Sequence, residues 1–490
     1  MLLQNLFIES VKKFADRTAV IDRTSGTTLS YAQLGATAVS LSRALQSDSP
    51  YIGICIPTSA GCTLAIAAVL LAKKIPVMIN YATGADKNAR YAQQKCGFST
   101  IITSRGLLQK LELAPVDGMI FLEDLMPALQ PAVLPAEPFS GREDDTALIL
   151  FTSGSEKVPK CVQLTHSNIS SNAFAVRDHL HITSDEIFAS VLPLYHSFGF
   201  TVNMWLPLAT GATAVTHASP LEYAAIVETI RDCKATILMG TSSFFRGYLK
   251  RAAPGDFASL RLMVAGAEKL RSEIRDEYLL KHNVAILEGY GCTETSPVVC
   301  VNQPWNNMPG SIGTLIPGVS VRIIDPDTGE DLGRGREGKI LVSGDLVMKG
   351  YLDDDAANAA ALIDGWYDTG DMGIFDDDNR LWHRGRLKRF VKIAGEMVSL
   401  VAIEDTLDTL LAEGVQLCMA AVPDPDKGAR LIAAYTGTVD EDAVKEHIAS
   451  VLGNLMVPSV FHHLDEMPVM GTGKVDFKKV EALCSELYGR

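Results

Sequence analysis

The chain has 490 residues, 47% of them apolar and 21% charged, which is the profile of a globular protein too long for one core, so two or three domains are expected. Its 44 Lys and Arg stand against 58 Asp and Glu, and the resulting net charge of −14 argues against a broad surface for nucleic acid or anionic membrane. Nine scattered cysteines form no CxxC pair and no Cys/His group at metal-ligand spacing, which favours reduced thiols in a cytoplasmic protein.

The opening "MLLQNLFIESVKKFADRTAV" has no basic start followed by a long apolar core, so it does not read as a signal peptide. Residues 1–145 alternate strand-like runs ("YIGICI", "KIPVMI", "STIIT") with helix-like stretches, the rhythm of an α/β layer protein. The uninterrupted apolar run Leu64 to Ala72 is far short of the roughly 20 residues that span a bilayer, so it reads as a buried helix. Any membrane association would be peripheral. A proline-rich connection, "LMPALQPAVLPAEPFSGREDD", precedes a strand at Ala147 to Phe151. Thr152, Ser153, Gly154 and Ser155 follow at its exit, Lys160 closes the loop, and Thr165 starts a capped helix. Hydroxyls and backbone N–H groups converging there suit a polyphosphate, although the pattern GxxxxGK[ST] is absent.

Residues 146–300 keep the α/β rhythm with strands at "ATILMG", "LRLMVAG" and "VAILEGYG", and 309–383 turn to short strands punctuated by Gly and Asp. The last hundred residues read as a small α/β domain. Three further motifs stand out. In "ILEGYGCTETSPV" a strand is expected to end at Glu288, and Tyr290, Gly291, Thr293 and Glu294 follow. Tyr290 could stack on a base, Thr293 bond a phosphate oxygen, and Glu294 hold Mg²⁺. In "GWYDTGDMG" Asp371 is expected at a turn, where its carboxylate could accept both hydroxyls of a ribose. In "GTGKVDF" Lys474 lies on a Gly-rich loop. Taken singly, each has a plainer reading: a Ser/Gly turn, a solvated turn aspartate, a surface lysine.

Together and in this order, the four motifs resemble those of the adenylate-forming superfamily, which includes acyl-CoA synthetases, luciferase and peptide-synthetase adenylation domains. Supporting matches are "PLYHSFGF", "VAGAEKL", "PGSIGTLIPG" and "GRLKRFVKIAGEMVS", and the resemblance covers essentially the whole chain. It implies an α/β fold with a large N-terminal adenylation domain (1–384) of two α/β subdomains plus a β-rich one. A small mobile α/β C-terminal domain (385–490) would follow. It implies ATP and Mg²⁺, with the loop at 152–155 gripping the β- and γ-phosphates. By the same resemblance Gly266, Ala267 and Glu268 form the adenine side, and Asp371 and Arg386 hold the ribose. Lys474 bridges carboxylate and α-phosphate, Lys388 is the hinge of a domain rotation, and Gly395 lines a pantetheine tunnel. His196 takes the family's position between acyl pocket and tunnel, with a packed core histidine as the alternative. One departure is visible: the usual TSGSTGxPK stands here as TSGSEKVPK, so Glu156 and Lys157 replace Thr and Gly.

The "YHSFG" stretch lacks the acid with which amino-acid-activating relatives hold an α-ammonium, and apolar "FTVNMWLPLATGA" follows, so a fatty acid is the expected substrate. For the thiol acceptor, "KRFVKIAGEMVSL" resembles the acyl-[acyl-carrier-protein] synthetases, including the synthetase half of the bifunctional 2-acylglycerophosphoethanolamine acyltransferase. Arg384, Arg386, Lys388, Arg389 and Lys392 form a basic stretch on which an acidic acyl carrier protein could dock. CoA, with its own phosphates, stays open as the acceptor. A non-catalytic nucleotide or acyl-adenylate binder is the rival from outside the enzymes, and the presence of Glu294 and Lys474 speaks against it.

Overall fold

The computed structural model describes every residue except 131, 153–158, 395, 408–409, 413, 426, 470–474 and 490. The chain divides into two compact units. The first comprises Met1–Val321, Leu341–Thr369 and Asp377–Leu381; the second comprises Arg322–Ile340, Gly370–Asp376 and Trp382–Arg490.

Two sheets organise the first unit. The smaller has seven strands in the order Gly350–Tyr351, Lys160–Thr165, Thr146–Thr152, Ile75–Met78, Tyr51–Cys55, Ile101–Thr103, Met119–Phe121. Its central strands are parallel because helices Ala60–Leu71 and Ala85–Cys96 carry the chain back between them. The apolar run at 64–72 falls in the first of these helices, which is buried on nearly every side and begins where Ser59 Oγ accepts from the Cys62 N–H at 3.1 Å. Among the described residues no helix is long and apolar enough to cross a membrane.

The larger sheet has nine strands. They run Thr314–Leu315, Val298–Val301, Ile286–Gly291, Leu262–Ala265, Ile237–Gly240, Ile187–Ser190, Thr213–Thr216, Thr18–Asp22, Thr28–Ser30. Helix His166–His179 starts at Thr165 as expected, in a capping box with Asn168. The largest buried side chains of this unit include Trp205, Tyr31, Phe7 and Phe200. The buried Tyr31 hydroxyl keeps partners in the Pro207 and Ala212 carbonyls, at 3.0 and 2.8 Å.

The β-rich character expected over 309–383 is present. A five-stranded sheet runs Ser320–Ile324, Gly338–Ser343, Trp366–Phe375, Leu362–Ile363, with Leu381–Arg386 also paired to Trp366–Phe375. In the second unit Gln416–Asp424 pairs antiparallel with Gly428–Thr436, which pairs parallel with Val460–His463. Ile403 and Leu407 of helix Leu400–Leu407 and Ile448 of helix Glu441–Leu452 pack with Met419 and Leu431 of these strands. Val480 and Cys484 of helix Phe477–Tyr488 pack with Cys418 and Ile432.

Candidate active site

In the first unit the candidate residues leave the carboxyl ends of strands, where α/β sheets bind ligands. Leu262–Ala265 hands the chain to Gly266, Ala267 and Glu268. The Phe198 ring lies 3.1 Å from where a Cβ on Gly266 would stand, so this position holds no larger side chain without displacing the ring. Ala267 has φ +66, and Glu268 accepts a hydrogen bond from the Ser243 N–H at the start of helix Ser242–Leu249, satisfying one of that helix's open donors.

The strand expected to end at Glu288 runs on to Gly291. Its partner changes instead: Glu288 still faces Ala265 in the parallel pairing, and from Gly289 onward the strand pairs antiparallel with Val298–Val301. A Cβ on Gly291 would lie 1.8 Å from the Pro297 carbonyl oxygen, so the turn closes only around glycine. Tyr290 is half-buried on this strand. Thr293 and Glu294 open a single tight turn, Thr293–Thr295, and the Thr293 hydroxyl lies 3.4 Å from that of Ser197.

Glu294 is 9% exposed and takes a hydrogen bond from the Tyr351 hydroxyl at 2.9 Å. Its backbone carbonyl accepts from the Met348 N–H at 2.8 Å. The Tyr367 phenol lies close by; burial first, then the Glu294 carboxylate, pushes the Tyr351 phenol well above its ordinary range. Lys160, at the start of its strand, places its ammonium 4.8 Å from the centre of the Tyr351 ring. Thr152 ends the strand before it. Ser153, Gly154 and Ser155 lie outside the described residues, as do Glu156 and Lys157.

His196 is exposed, its ring 4.5 Å from that of Tyr195, so the alternative of a packed core histidine does not hold. The chain after it is deeply buried: every residue of Gly199–Trp205 is, and no charged residue occurs from Phe198 to Ala212.

In the second unit Asp371 is not at a turn. It lies within strand Trp366–Phe375 and is 2% exposed, because alternate residues Tyr367, Thr369 and Asp371 share the buried face. Arg386 Nε is 2.8 Å and His383 Nε2 3.6 Å from one of its carboxylate oxygens. Lys388 is exposed in the turn Leu387–Arg389. Gly395 and Lys474 lie outside the described residues.

The basic stretch is a correction. Arg389 is 6% exposed, paired with Glu404 and, at 3.6 Å, with Glu481; its guanidinium lies 4.2 Å from the Phe477 ring and donates to the Met419 carbonyl. Arg384 is paired with Glu337 at 3.6 Å, Arg386 with Asp371, and Lys392 with Asp327 at 3.2 Å. A one-dimensional count of cations misses these carboxylates because they come from distant segments. Arg389 is therefore withdrawn from the stretch, and Arg384, Arg386 and Lys392 stay exposed but ion-paired, beside an exposed Lys388. Ser197, Tyr351, Tyr367 and Asn358 go unflagged by sequence reasoning; Ser197 meets Thr293 across 96 residues and Tyr351 meets Glu294 across 57. Among the described residues no cluster of three or more metal-ligating side chains occurs.

Comparison with known proteins agrees with this geometry. Residues 7–352 match the family model described as AMP-binding enzyme. The 4-coumarate–CoA ligase 3 of Oryza sativa subsp. japonica is 30% identical over 357 residues, covering 69% of this chain and 64% of that relative's length. The 4-coumarate–CoA ligase 1 of Narcissus pseudonarcissus is 25% identical over 514 residues, covering 98% and 93%. ATP-bound MatB from Rhodopseudomonas palustris superposes with a TM-score of 0.86 at 25% identity, over 99% of both chains. The o-succinylbenzoate CoA synthetase of Bacillus subtilis, in complex with its acyl-adenylate intermediate, shares the fold with a TM-score of 0.84 at 21% identity, over 97% and 98%. With its large and small α/β units and the family model matched from residue 7 to 352, the chain belongs to the AMP-binding enzymes.

Proposed function

We propose that this protein is an acid–thiol ligase. A carboxylic acid and ATP give an acyl-adenylate and pyrophosphate, and a pantetheine thiol then displaces AMP to give the thioester. The observation that carries this reading is the placing of Thr293 and Glu294 on one tight turn at the mouth of the strand that bears Tyr290, in a chain of the AMP-binding enzyme family.

The charge at Glu294 fits a metal nucleotide. A buried carboxylate without a counter-ion is costly, and among the described residues no Lys, Arg or His is ion-paired with it. One carboxylate with open positions suits Mg²⁺, which keeps waters and takes phosphate oxygens. Bound there with the triphosphate, Mg²⁺ would neutralise charge as pyrophosphate departs. The chain's own groups then divide the work. Thr293 donates to the α-phosphate, Lys160 and the loop at 152–155 hold the departing phosphates, and Tyr290 with Gly266, Ala267 and Glu268 forms the adenine side. Asp371 accepts from the ribose hydroxyls with Arg386 beside it. Lys474 brings positive charge to the attacking carboxylate and α-phosphate. Lys388 is the hinge, and Gly395 and His196 serve the thiol's approach.

The uncharged stretch Phe198 to Ala212 supports an apolar acid, a fatty acyl chain or an aromatic ring. CoA is the proposed acceptor. The relatives above are CoA ligases by name, and four of the five cations that pointed to an acyl carrier protein are paired within the chain. The test is a thioester assay with ATP, Mg²⁺ and matched series of fatty and aromatic acids, offering CoA and holo carrier protein in parallel. Acyl-CoA formation is the expected result. Acylated carrier protein alone would transfer the reading to a carrier-protein synthetase, and no pyrophosphate release with any acid would refute ligase activity.

A further inference from the structure

Two opposite charges of the site meet one aromatic side chain, Glu294 at its hydroxyl and Lys160 over its ring. The Tyr351 hydroxyl donates to Glu294 at 2.9 Å, and the Lys160 ammonium lies 4.8 Å from the same ring's centre. Strand register dictates this arrangement. Tyr351 pairs with Val162, so Lys160, two residues before Val162, is its diagonal neighbour on the same face of the sheet. A slip of one residue would send the ring to the opposite face.

Tyr351 is held from three other directions. Asn358 accepts from the Tyr351 N–H at 2.6 Å and donates to its carbonyl at 2.9 Å, so both backbone groups are engaged. Gly350 has φ +143, and a Cβ there would stand 2.9 Å from the same Asn358 amide, so the approach depends on glycine. The Tyr367 phenol, on strand Trp366–Phe375, lies close to the Tyr351 hydroxyl. A ring fixed this firmly cannot swing aside when charges gather around it.

We propose that Tyr351 is a positioning residue that keeps Lys160 and Glu294 from pairing with each other. Its hydroxyl occupies one oxygen of Glu294, and its face holds the ammonium of Lys160 through a cation–π contact. Both charges therefore remain available before the metal nucleotide arrives. Among the described residues Lys160 has no ion-pair partner and Glu294 no cation, the state such a spacer preserves. In a low-dielectric pocket a direct Lys160–Glu294 pair would quench both groups, and the nucleotide would have to break it. This role rests on the proposed use of Glu294 for Mg²⁺ and Lys160 for phosphate.

Two variants of the full chain separate the ring from the hydroxyl. The nucleotide-free crystal structure of Tyr351→Leu should show the Lys160 ammonium within about 4 Å of a Glu294 oxygen, the ion-pair distance. Lys160 and Glu294 remaining apart in that variant would overturn the proposal. Binding of Mn²⁺·ATP, followed by titration calorimetry and by the paramagnetic signal of free Mn²⁺, gives the second readout. Tyr351→Phe keeps the ring, so it should weaken Mn²⁺ about tenfold through the lost bond to a charged group, with metal-free ATP unaffected. Tyr351→Leu should weaken both; in a Lys160→Met background, itself weaker for ATP, Tyr351→Leu should cost no more than Tyr351→Phe. Equal loss of Mn²⁺ and metal-free ATP in Tyr351→Phe, or no loss, would also overturn it. A wild-type protein that binds no nucleotide, together with a Lys160–Glu294 pair in Tyr351→Leu, would refute the ligase reading and uphold the spacer.

Discussion

Replacing Arg389 by methionine tests how the second unit is held together. The guanidinium is buried, stacks on Phe477, bonds the Met419 carbonyl at 2.9 Å and is paired with Glu404, whose carboxylate also accepts from the Met419 N–H at 2.7 Å. Methionine fills the volume but leaves Glu404 as a buried charge without a counter-ion, a loss of about 3–5 kcal/mol. For a unit of this size that lowers the melting temperature by on the order of 10 °C.

The loss should depend on pH. Burial already pushes the Glu404 carboxyl up, against the pull of Arg389, and removing Arg389 pushes it further. A carboxylate whose folded pKa lies above its unfolded value gives stability that is complete below the unfolded pKa, about 4.3, and is lost as pH rises through the folded one. The deficit of Arg389→Met should therefore widen with rising pH above about 4.5 and narrow in acid. Calorimetry of wild type and variant at pH 5, 6.5 and 8 measures it. Adding Glu404→Leu should restore much of the loss by removing the orphaned charge. A deficit below about 1 kcal/mol, or one unchanged with pH, would refute the account. Were Arg389 a docking cation, Arg389→Glu would change acceptor KM and leave stability intact; here that variant should be severely destabilised.

His166 should set an acid limit for the first unit. Its Nδ1 accepts from the Leu3 N–H at 3.2 Å and burial pushes its pKa from 6.5 to about 4. Stability is then present above 6.5 and lost as pH falls through about 4, by roughly 3 kcal/mol in all, and His166→Gln should flatten that limb in urea titrations. At the proposed catalytic centre, Lys474→Ala should nearly abolish acyl-adenylate formation while sparing thioester formation from supplied acyl-AMP; equal loss in both half-reactions would contradict its role.

Local chemistry was readable from residues alone. Apolar runs marked the strands, Thr165 marked a helix start, and the ordered motifs implied the adenylate-forming fold. These are short-range signals, written in spacing of two, three or four residues. What the tertiary structure decided is which charges meet. Asp371 in "GWYDTGDMG" reads as a turn residue, yet the alternation of buried residues draws it into a strand. Arg389 reads as part of a basic surface, yet it is buried and paired with carboxylates from two later helices, Glu404 and Glu481. Tyr351 carried no signal at all, since its bond to Glu294 crosses 57 residues and exists only because one short strand pairs beside Lys160. Spacing along the chain reports local geometry; burial and charge pairing depend on which distant segments the fold brings within a few ångströms.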